Sequence, residues 1–358
     1  MQFEPLNTWL PEVASPLIIA GPCGAESFDQ LMRTAKELKE TNKISLFRAG
    51  VWKPRTRPNA FEGRGEEALK WLVEVKKEFG FKITVEVANA HHTELALKYG
   101  IDVLWIGART TVNPFSVQEI ADVLMGTNTP VMVKNPIHAD LQLWLGAIER
   151  VYNSGITKIA AIHRGFHFYG KTKYRNKPLW QVPIELRTLF PGLPIICDPS
   201  HISGNHELIS SVAQKALDLG MNGLMIESHY DPSIALSDAE QQLTPKKLDE
   251  LISNLVLRKQ SSDDPETTDK LLELRKIIDE IDDELMNVLK KRIQIIEEIG
   301  AYKKEHDITI FQLERWQEIL RTRGQWADKM GISRQHIEKI CQLLHEESIR
   351  IQNGLMNS

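Results

Sequence analysis

An eightfold alternation over residues 17–258 constrains this chain more than any other feature. Short apolar runs occur at 17–20, 45–49, 82–87, 102–107, 130–134, 157–162, 194–198 and 222–227. An amphipathic stretch follows each, at 27–41, 65–79, 92–99, 116–125, 138–153, 183–189, 205–219 and 244–258. Apolar runs of this length suit parallel strands buried on both faces, and the longer segments suit the helices that cover them. Gly80, Gly100, Gly155 and Gly220 fall at the helix-to-strand turns, where a left-handed C-cap wants glycine. Eight β–α units in about 240 residues predict an α/β TIM (β/α)8 barrel. A doubly wound open sheet is the alternative, but no phosphate-binding glycine fingerprint accompanies the units.

The apolar runs end abruptly in polar residues, as Ile195-Ile196-Cys197 does in Asp198-Pro199-Ser200-His201. In a TIM barrel those ends carry the active site. In order they supply Cys23 and Glu26, then Arg48 with Lys53, Arg55 and Thr56, then Glu86, Arg109, Lys134, His163 and Arg164. The last two ends give Asp198 with His201, and Glu227 with His229, and Asp238 lies in the loop beyond. Cys23, His201, Glu227 and Asp238 combine a thiolate, an imidazole and two carboxylates, a mixed soft and hard donor set for a divalent metal. A lone buried cysteine is ordinarily a small core residue. Four such ligands at one rim favour a cation with positions left open for catalysis. Arg48, Lys53, Arg55, Arg109, Lys134 and Arg164 would repel one another unless anions were bound, which suits substrates with two phosphates and a carboxylate.

Composition narrows the partners. The chain has 358 residues, 42% hydrophobic and 26% charged, with a net charge of −4, so neither nucleic acid nor an anionic membrane surface is expected. No apolar run approaches the ~18 residues of a membrane span. Cys23, Cys197 and Cys341 form no framework, which implies a reducing compartment without disulfides. The start, MQFEPLNTWLPEV, has no basic region followed by an apolar core, so no signal peptide and a cytoplasmic location are expected.

Residues 259–269 are polar and read as a linker. Beyond it, Leu271, Leu274, Ile278, Ile281, Leu285, Val288, Ile295, Ile299 and Tyr302 form a heptad seam, interrupted by Arg292. A helix over 270–305 would be on the order of 50 Å long, too long for one small domain, so it should pair with another chain. Further helices are predicted over 312–327 and from Ser333 to 352. Arg292 by itself could set register. With Arg275, Lys303, Arg315 and Gln352 nearby in the pattern, a pocket for a small dianion is the stronger reading.

The motifs Arg48…Lys53-Pro-Arg-Thr56, Ile-Gly-Ala-Arg109, His163-Arg164-Gly165, Asp198-Pro-Ser-His201, Ile-Glu227-Ser-His229 and Leu-Ser-Asp238-Ala resemble those of type I 3-deoxy-D-arabino-heptulosonate-7-phosphate (DAHP) synthase, nearest its β subgroup. The resemblance implies a metal-dependent barrel that condenses phosphoenolpyruvate with erythrose 4-phosphate. Carried over by position, Cys23, His201, Glu227 and Asp238 hold the divalent metal, manganese first among the candidates. Arg48, Lys53, Glu86, Arg109, Lys134 and Arg164 surround phosphoenolpyruvate, and Lys53 doubles as the catalytic acid. Arg55 and Thr56 take the sugar phosphate, and Asp198 either joins them or orients His201. Two departures stand out. Arg57-Pro58-Asn59 replaces the common Ser-Pro-Tyr, and the subgroup's N-terminal regulatory module is not expected ahead of residue 17. The sibling octulosonate 8-phosphate synthases share the barrel, but Lys-Pro-Arg-Thr argues against that reading.

The second region resembles AroQ-class chorismate mutase through Leu274-Arg275-x-x-Ile278-Asp279-x-Ile281-Asp282, Lys291-Arg292, Lys303, Arg315 and Ser348…Gln352. The resemblance implies a small all-α three-helix domain that rearranges chorismate to prephenate within an intertwined homodimer. Arg275 of the partner protomer, Arg292 and Arg315 would hold carboxylates, Ser348 lines the site, and the catalytic pair Lys303 and Gln352 faces the ether oxygen. Trp316 departs from the family's common Glu, with Gln312 or Glu314 as replacements for that contact. The expectation is therefore a bifunctional enzyme with a barrel at 1–258, a linker at 259–269 and a mutase domain at 270–358. Feedback is expected through the mutase domain, by prephenate or a pathway end product. The alternative is an active synthase whose helical region only dimerises and binds effectors.

Overall fold

The structure, a computed structural model, describes residues 1–10, 15–53, 60–259 and 261–357. The chain divides into two compact units, Met1–Gln260 and Ser261–Ser358. The first contains eight strands, β1 (Leu17–Gly21), β2 (Leu46–Ala49), β3 (Lys82–Val87), β4 (Val103–Ile106), β5 (Val131–Lys134), β6 (Ile159–His163), β7 (Ile195–Cys197) and β8 (Gly223–Glu227). They form one closed parallel barrel in chain order, which pairing of Leu17 with Gly223 and Gly21 with Glu227 seals. The (β/α)8 expectation is met.

Its helices are α1 (Leu6–Trp9), α2 (Phe28–Glu40), α3 (Glu66–Phe79), α4 (Ala90–Lys98), α5 (Ala108–Thr111), α6 (Pro114–Leu124), α7 (Leu141–Asn153), α8 (Gln181–Leu189), α9 (Pro199–Ser203), α10 (Ile209–Asp218) and α11 (Pro245–Ser253). Three short helices, α1, α5 and α9, were not anticipated, and two of them carry site residues. Helix α5 places Arg109, and α9 places His201. The second forms because Asp198 caps the His201 amide and Pro199 occupies the first helical position, where a missing N–H costs nothing. The glycines expected at left-handed turns, Gly80, Gly100, Gly155 and Gly220, all have positive φ.

Side chains alternate along each strand between two apolar layers. Ile18 and Ala20 face the helices, whereas Leu17 and Ile19 point into the barrel with Leu46, Val103, Trp105, Met132, Ile162, Ile196 and Met225. Trp9 and Leu10, at the end of α1, pack onto this inner cluster. The apolar filling leaves the polar residues at the strand C-termini as the top layer.

The second unit has three helices, α12 (Pro265–Glu305), α13 (Leu313–Lys329) and α14 (Arg334–Met356), with α14 packed against both others. Asp264 accepts from the Thr267 amide and Pro265 opens α12, so residues 265–269 are helical rather than linker. At 41 residues, α12 is about 60 Å long. The seam residues are exposed within one chain: Leu274 is 47%, Ile281 53% and Val288 59% exposed. Among the described residues, the buried positions of this unit are few, chiefly Gly300, Gly324, Ala327, Ser348 and Gln352.

Candidate active sites

At the C-terminal mouth of the barrel, Cys23, Glu227 and Asp238 bring ligand atoms within 4.8 Å of one another. Cys23 Sγ lies 3.3 Å from Asp238 Oδ2. His201 stands outside that mutual radius, but its Nε2 is 3.8 Å from Glu227 Oε1. All four residues proposed as metal ligands therefore meet at one rim. Glu227 Oε1 is buried and receives no hydrogen bond, although the Arg48 Nη2 lies 3.1 Å away as an ion pair. Burial, reinforced by the Glu227 carboxylate, pushes the Cys23 thiol up to about 12. A divalent cation held by these donors would reverse that ordering and favour the thiolate. The donor set fits such a cation.

Neighbouring groups hold the set. Gln241 Nε2 donates to Glu227 Oε2 at 2.6 Å, and Gln242 Oε1 accepts from the Cys23 amide at 2.9 Å. Asp198 is fully buried between Lys134 Nζ, at 2.8 Å from its Oδ2, and His201 Nδ1, at 2.8 Å from the same oxygen. Burial opposes its charge, but His201 and Lys134 outweigh that and hold its carboxyl well below the usual range. Asp198 Oδ2 thus sits directly against His201 Nδ1. Arg175 binds Asp238 Oδ1 at 3.0 Å and Gln241 at 2.7 Å. Arg175, Gln241 and Gln242 were missed in the sequence because none sits directly at a strand end. The two glutamines, three and four residues past Asp238, were the available signal.

The cations converge on the same mouth. Arg48 is 1% exposed, its guanidinium lies over the Trp105 ring at 5.0 Å, and its Nε and Nη1 have no hydrogen-bond partner. Lys134 Nζ lies 5.7 Å from the same ring. Arg164 donates to Asn176 Oδ1 at 2.7 Å. Burial, together with the charges of Arg175 and Arg109, lowers its guanidinium to about 10. Lys53 Nζ donates to Cys23 O at 2.7 Å and contacts Cys23 Sγ at 2.8 Å. Burial works against its charge, but the Cys23 sulfur and the Glu227 carboxylate prevail and raise its pKa. Glu86 accepts from the Trp105 indole at 2.9 Å and fills the space above Gly107, where an added Cβ would stand 2.0 Å from Glu86 Oε1. Buried donors without partners are rare and mark ligand positions. Arg55 and Thr56 lie outside the described residues.

The helical unit gathers a second polar cluster between α12 and α14. Arg292 and Lys303 are half-buried on α12, and burial lowers the pKa of each. Lys303 Nζ donates to Ile310 O at 2.7 Å. Ser348 and Gln352 are buried on α14, and Gln352 Oε1 has no partner. Gln352 abuts Gly300, one turn before Lys303. Arg315 is exposed on α13 and paired with Glu318 at 2.6 Å. Arg275 is exposed, about 25 Å along α12 from Arg292, so it does not join its own chain's cluster. His345, which the sequence reading passed over, lies among these groups with Trp316 stacked on its ring at 4.2 Å.

The comparisons agree with both geometries. Residues 13–261 match the DAHP synthetase I family and residues 274–353 match chorismate mutase type II. The phospho-2-dehydro-3-deoxyheptonate aldolase of Thermotoga maritima is 32% identical over 238 residues, covering 66% of this chain and 68% of that one. A crystal structure of the Thermotoga enzyme superposes with a TM-score of 0.60 at 29% identity, over 70% of this chain and 74% of that one. The 2-dehydro-3-deoxyphosphooctonate aldolase of Brucella ovis is 28% identical over 266 residues, covering 68% of this chain and 91% of that one. The chain belongs to the DAHP synthetase I family and carries a chorismate mutase type II domain behind its barrel.

Proposed function

We propose that residues 1–258 condense phosphoenolpyruvate with erythrose 4-phosphate on a divalent cation, and that residues 270–358 rearrange chorismate to prephenate. The observation that carries the first assignment is the Cys23, Glu227 and Asp238 trio set beside Arg48, whose Nε and Nη1 await an anion. Cys23, His201, Glu227 and Asp238 would hold the cation, for which manganese remains the first candidate. When bound, it supplies Lewis-acid polarisation of the aldehyde. Arg48, Lys134, Arg164 and Arg109 bind the carboxylate and phosphate of phosphoenolpyruvate, with Glu86 at the edge of this group. Arg55 and Thr56 take the sugar phosphate. As C3 of the enol phosphate attacks the aldehyde carbon, Lys53 gives its proton to the developing alkoxide. Its raised pKa keeps it charged until then. Water adds at C2, and phosphate leaves from the same carbon.

The rearrangement needs no nucleophile. Arg292 and Arg315 grip the carboxylates, Ser348 lines the pocket, and Lys303 and Gln352 stabilise charge on the breaking ether bond. Arg275 comes from a second protomer. The exposed seam of α12 supports this reading, because burying several Leu, Ile and Val side chains is worth roughly 10 kcal/mol in total. Feedback acts through the helical unit, with prephenate as its effector.

Chorismate turnover and condensation, measured on one preparation with and without chelator, test the assignment. Chelation should stop condensation and leave rearrangement intact. Loss of both activities, or of neither, would contradict it. Titrating condensation against prephenate, tyrosine and phenylalanine tests the regulatory part, which fails if prephenate has no effect.

A further inference from the structure

His345 stands out among the groups that the mutase reading leaves unused. It lies on α14, three residues before Ser348 and seven before Gln352, so the three share one helix face. Its Nε2 is buried without a hydrogen-bond partner. So is Gln352 Oε1, two turns along the same face. Two buried polar atoms about 10 Å apart along one helix, both unsatisfied, mark positions from which a polar ligand can be bonded.

The ring is held from α13 and the segment before it. Trp316 stacks on it at 4.2 Å with an interplanar angle of 13°, and Phe311 lies 5.8 Å away. From α12 it is faced by Arg292 and Lys303. Burial and these two cations lower its pKa, so the imidazole is neutral near pH 7. A third positive charge would only add repulsion in that pocket. A neutral imidazole instead offers a hydrogen-bond donor on a rigid ring.

We infer that His345 contacts an oxygen of the dianion bound in the mutase site through Nε2, and that Trp316 fixes its ring for that contact. Trp316, whose indole cannot supply a carboxylate's contact, then has a purpose: it is the platform for a donor carried on another helix. The inference rests on the mutase reading of this unit.

The test uses the full chain and chorismate. His345→Phe keeps an aromatic ring against Trp316 and removes only the nitrogen atoms. It should lower kcat/KM for rearrangement about tenfold or more. His345→Gln restores an N–H near the Nε2 position and should stay within about threefold of the parent. Trp316→Ala should lose a comparable factor, and the double variant Trp316→Ala/His345→Phe should be no worse than His345→Phe alone, since the two act as one unit. Condensation rates should not change in any of them. His345→Phe within twofold of the parent, or His345→Gln falling as far as His345→Phe, overturns the inference. Additive losses in the double variant overturn the role of Trp316. A parent that turns chorismate over no faster than the uncatalysed rate sinks the mutase reading instead.

Discussion

The barrel and the helical unit solve the same problem, placing polar groups where an anion can use them, by opposite means. The barrel completes its own core. Two apolar layers, one inside the strands and one between strands and helices, leave Arg48, Lys134, Asp198 and Glu227 as a buried polar layer with fixed neighbours, and His201 partly exposed beside them. The helical unit buries little, and its long helix displays Leu274, Ile278, Ile281, Leu285 and Val288 at 47–59% exposure. Arg275, assigned to the site proposed there, lies some 25 Å away on the same helix. A closed sheet satisfies its backbone and apolar faces within one chain, whereas a three-helix hairpin with a 41-residue arm does not. A site on the first is preorganised in one copy, whereas the site proposed on the second would need another.

The largest test of that contrast is Cys23→Ala. It should reduce condensation roughly 10³-fold, a loss of the size seen when a preorganised charge-stabilising group is deleted, with rearrangement unchanged. A coupled loss of both activities, measured on the same sample, would break the claim that each unit holds its own site. Next comes a charge on the seam. Ile281→Asp should dissociate the oligomer and lower chorismate turnover about 100-fold by withdrawing the partner's arginine, a bidentate anchor. Size-exclusion chromatography beside the mutase assay checks this, and full turnover in a monomer would refute the dependence on a second copy.

Gln241→Leu sharpens the barrel's half of the comparison. It removes the 2.6 Å hydrogen bond to Glu227 and should weaken metal affinity ~10- to 100-fold, with condensation restored at higher metal concentration. Isothermal titration of the metal reads this without relying on activity. The smallest effect concerns His163, fully buried at the end of β6 beside Trp180 and Phe166, whose pKa burial lowers to about 3. An unfolded histidine titrates near 6.5. The unfolded state therefore binds the proton first as pH falls. The stabilisation is complete above about pH 6.5 and declines steadily toward pH 3. Between pH 6.5 and 5 the loss is about 2 kcal/mol. His163→Leu should flatten this slope in the barrel's unfolding transition, and an unchanged slope would show that another group carries it.

Much of the barrel was legible in the chain because burial on both faces leaves an unbroken apolar run, and every such run from Leu17 to Glu227 became a strand within about two residues. The four metal-binding candidates were legible because strand ends converge in any closed barrel. What the sequence could not show is which neighbours tune them. Gln241, Gln242 and Arg175 reach Glu227, Cys23 and Asp238 across loops with no periodicity, and His345 meets Trp316 from another helix. The placement of His201 on a short helix, rather than in a turn, also needed the cap that Asp198 provides.

By itself, then, the sequence determined the eight β–α units, the long seam of α12 and the residue types at each strand end, since these follow from local periodicity and alternation. Tertiary structure alone decided that Lys134 pairs with Asp198, that Arg48 keeps two donors unpaired, and that Trp316 stacks on His345. Those are contacts between residues far apart in the chain, and their energies depend on distance and burial that no local pattern encodes.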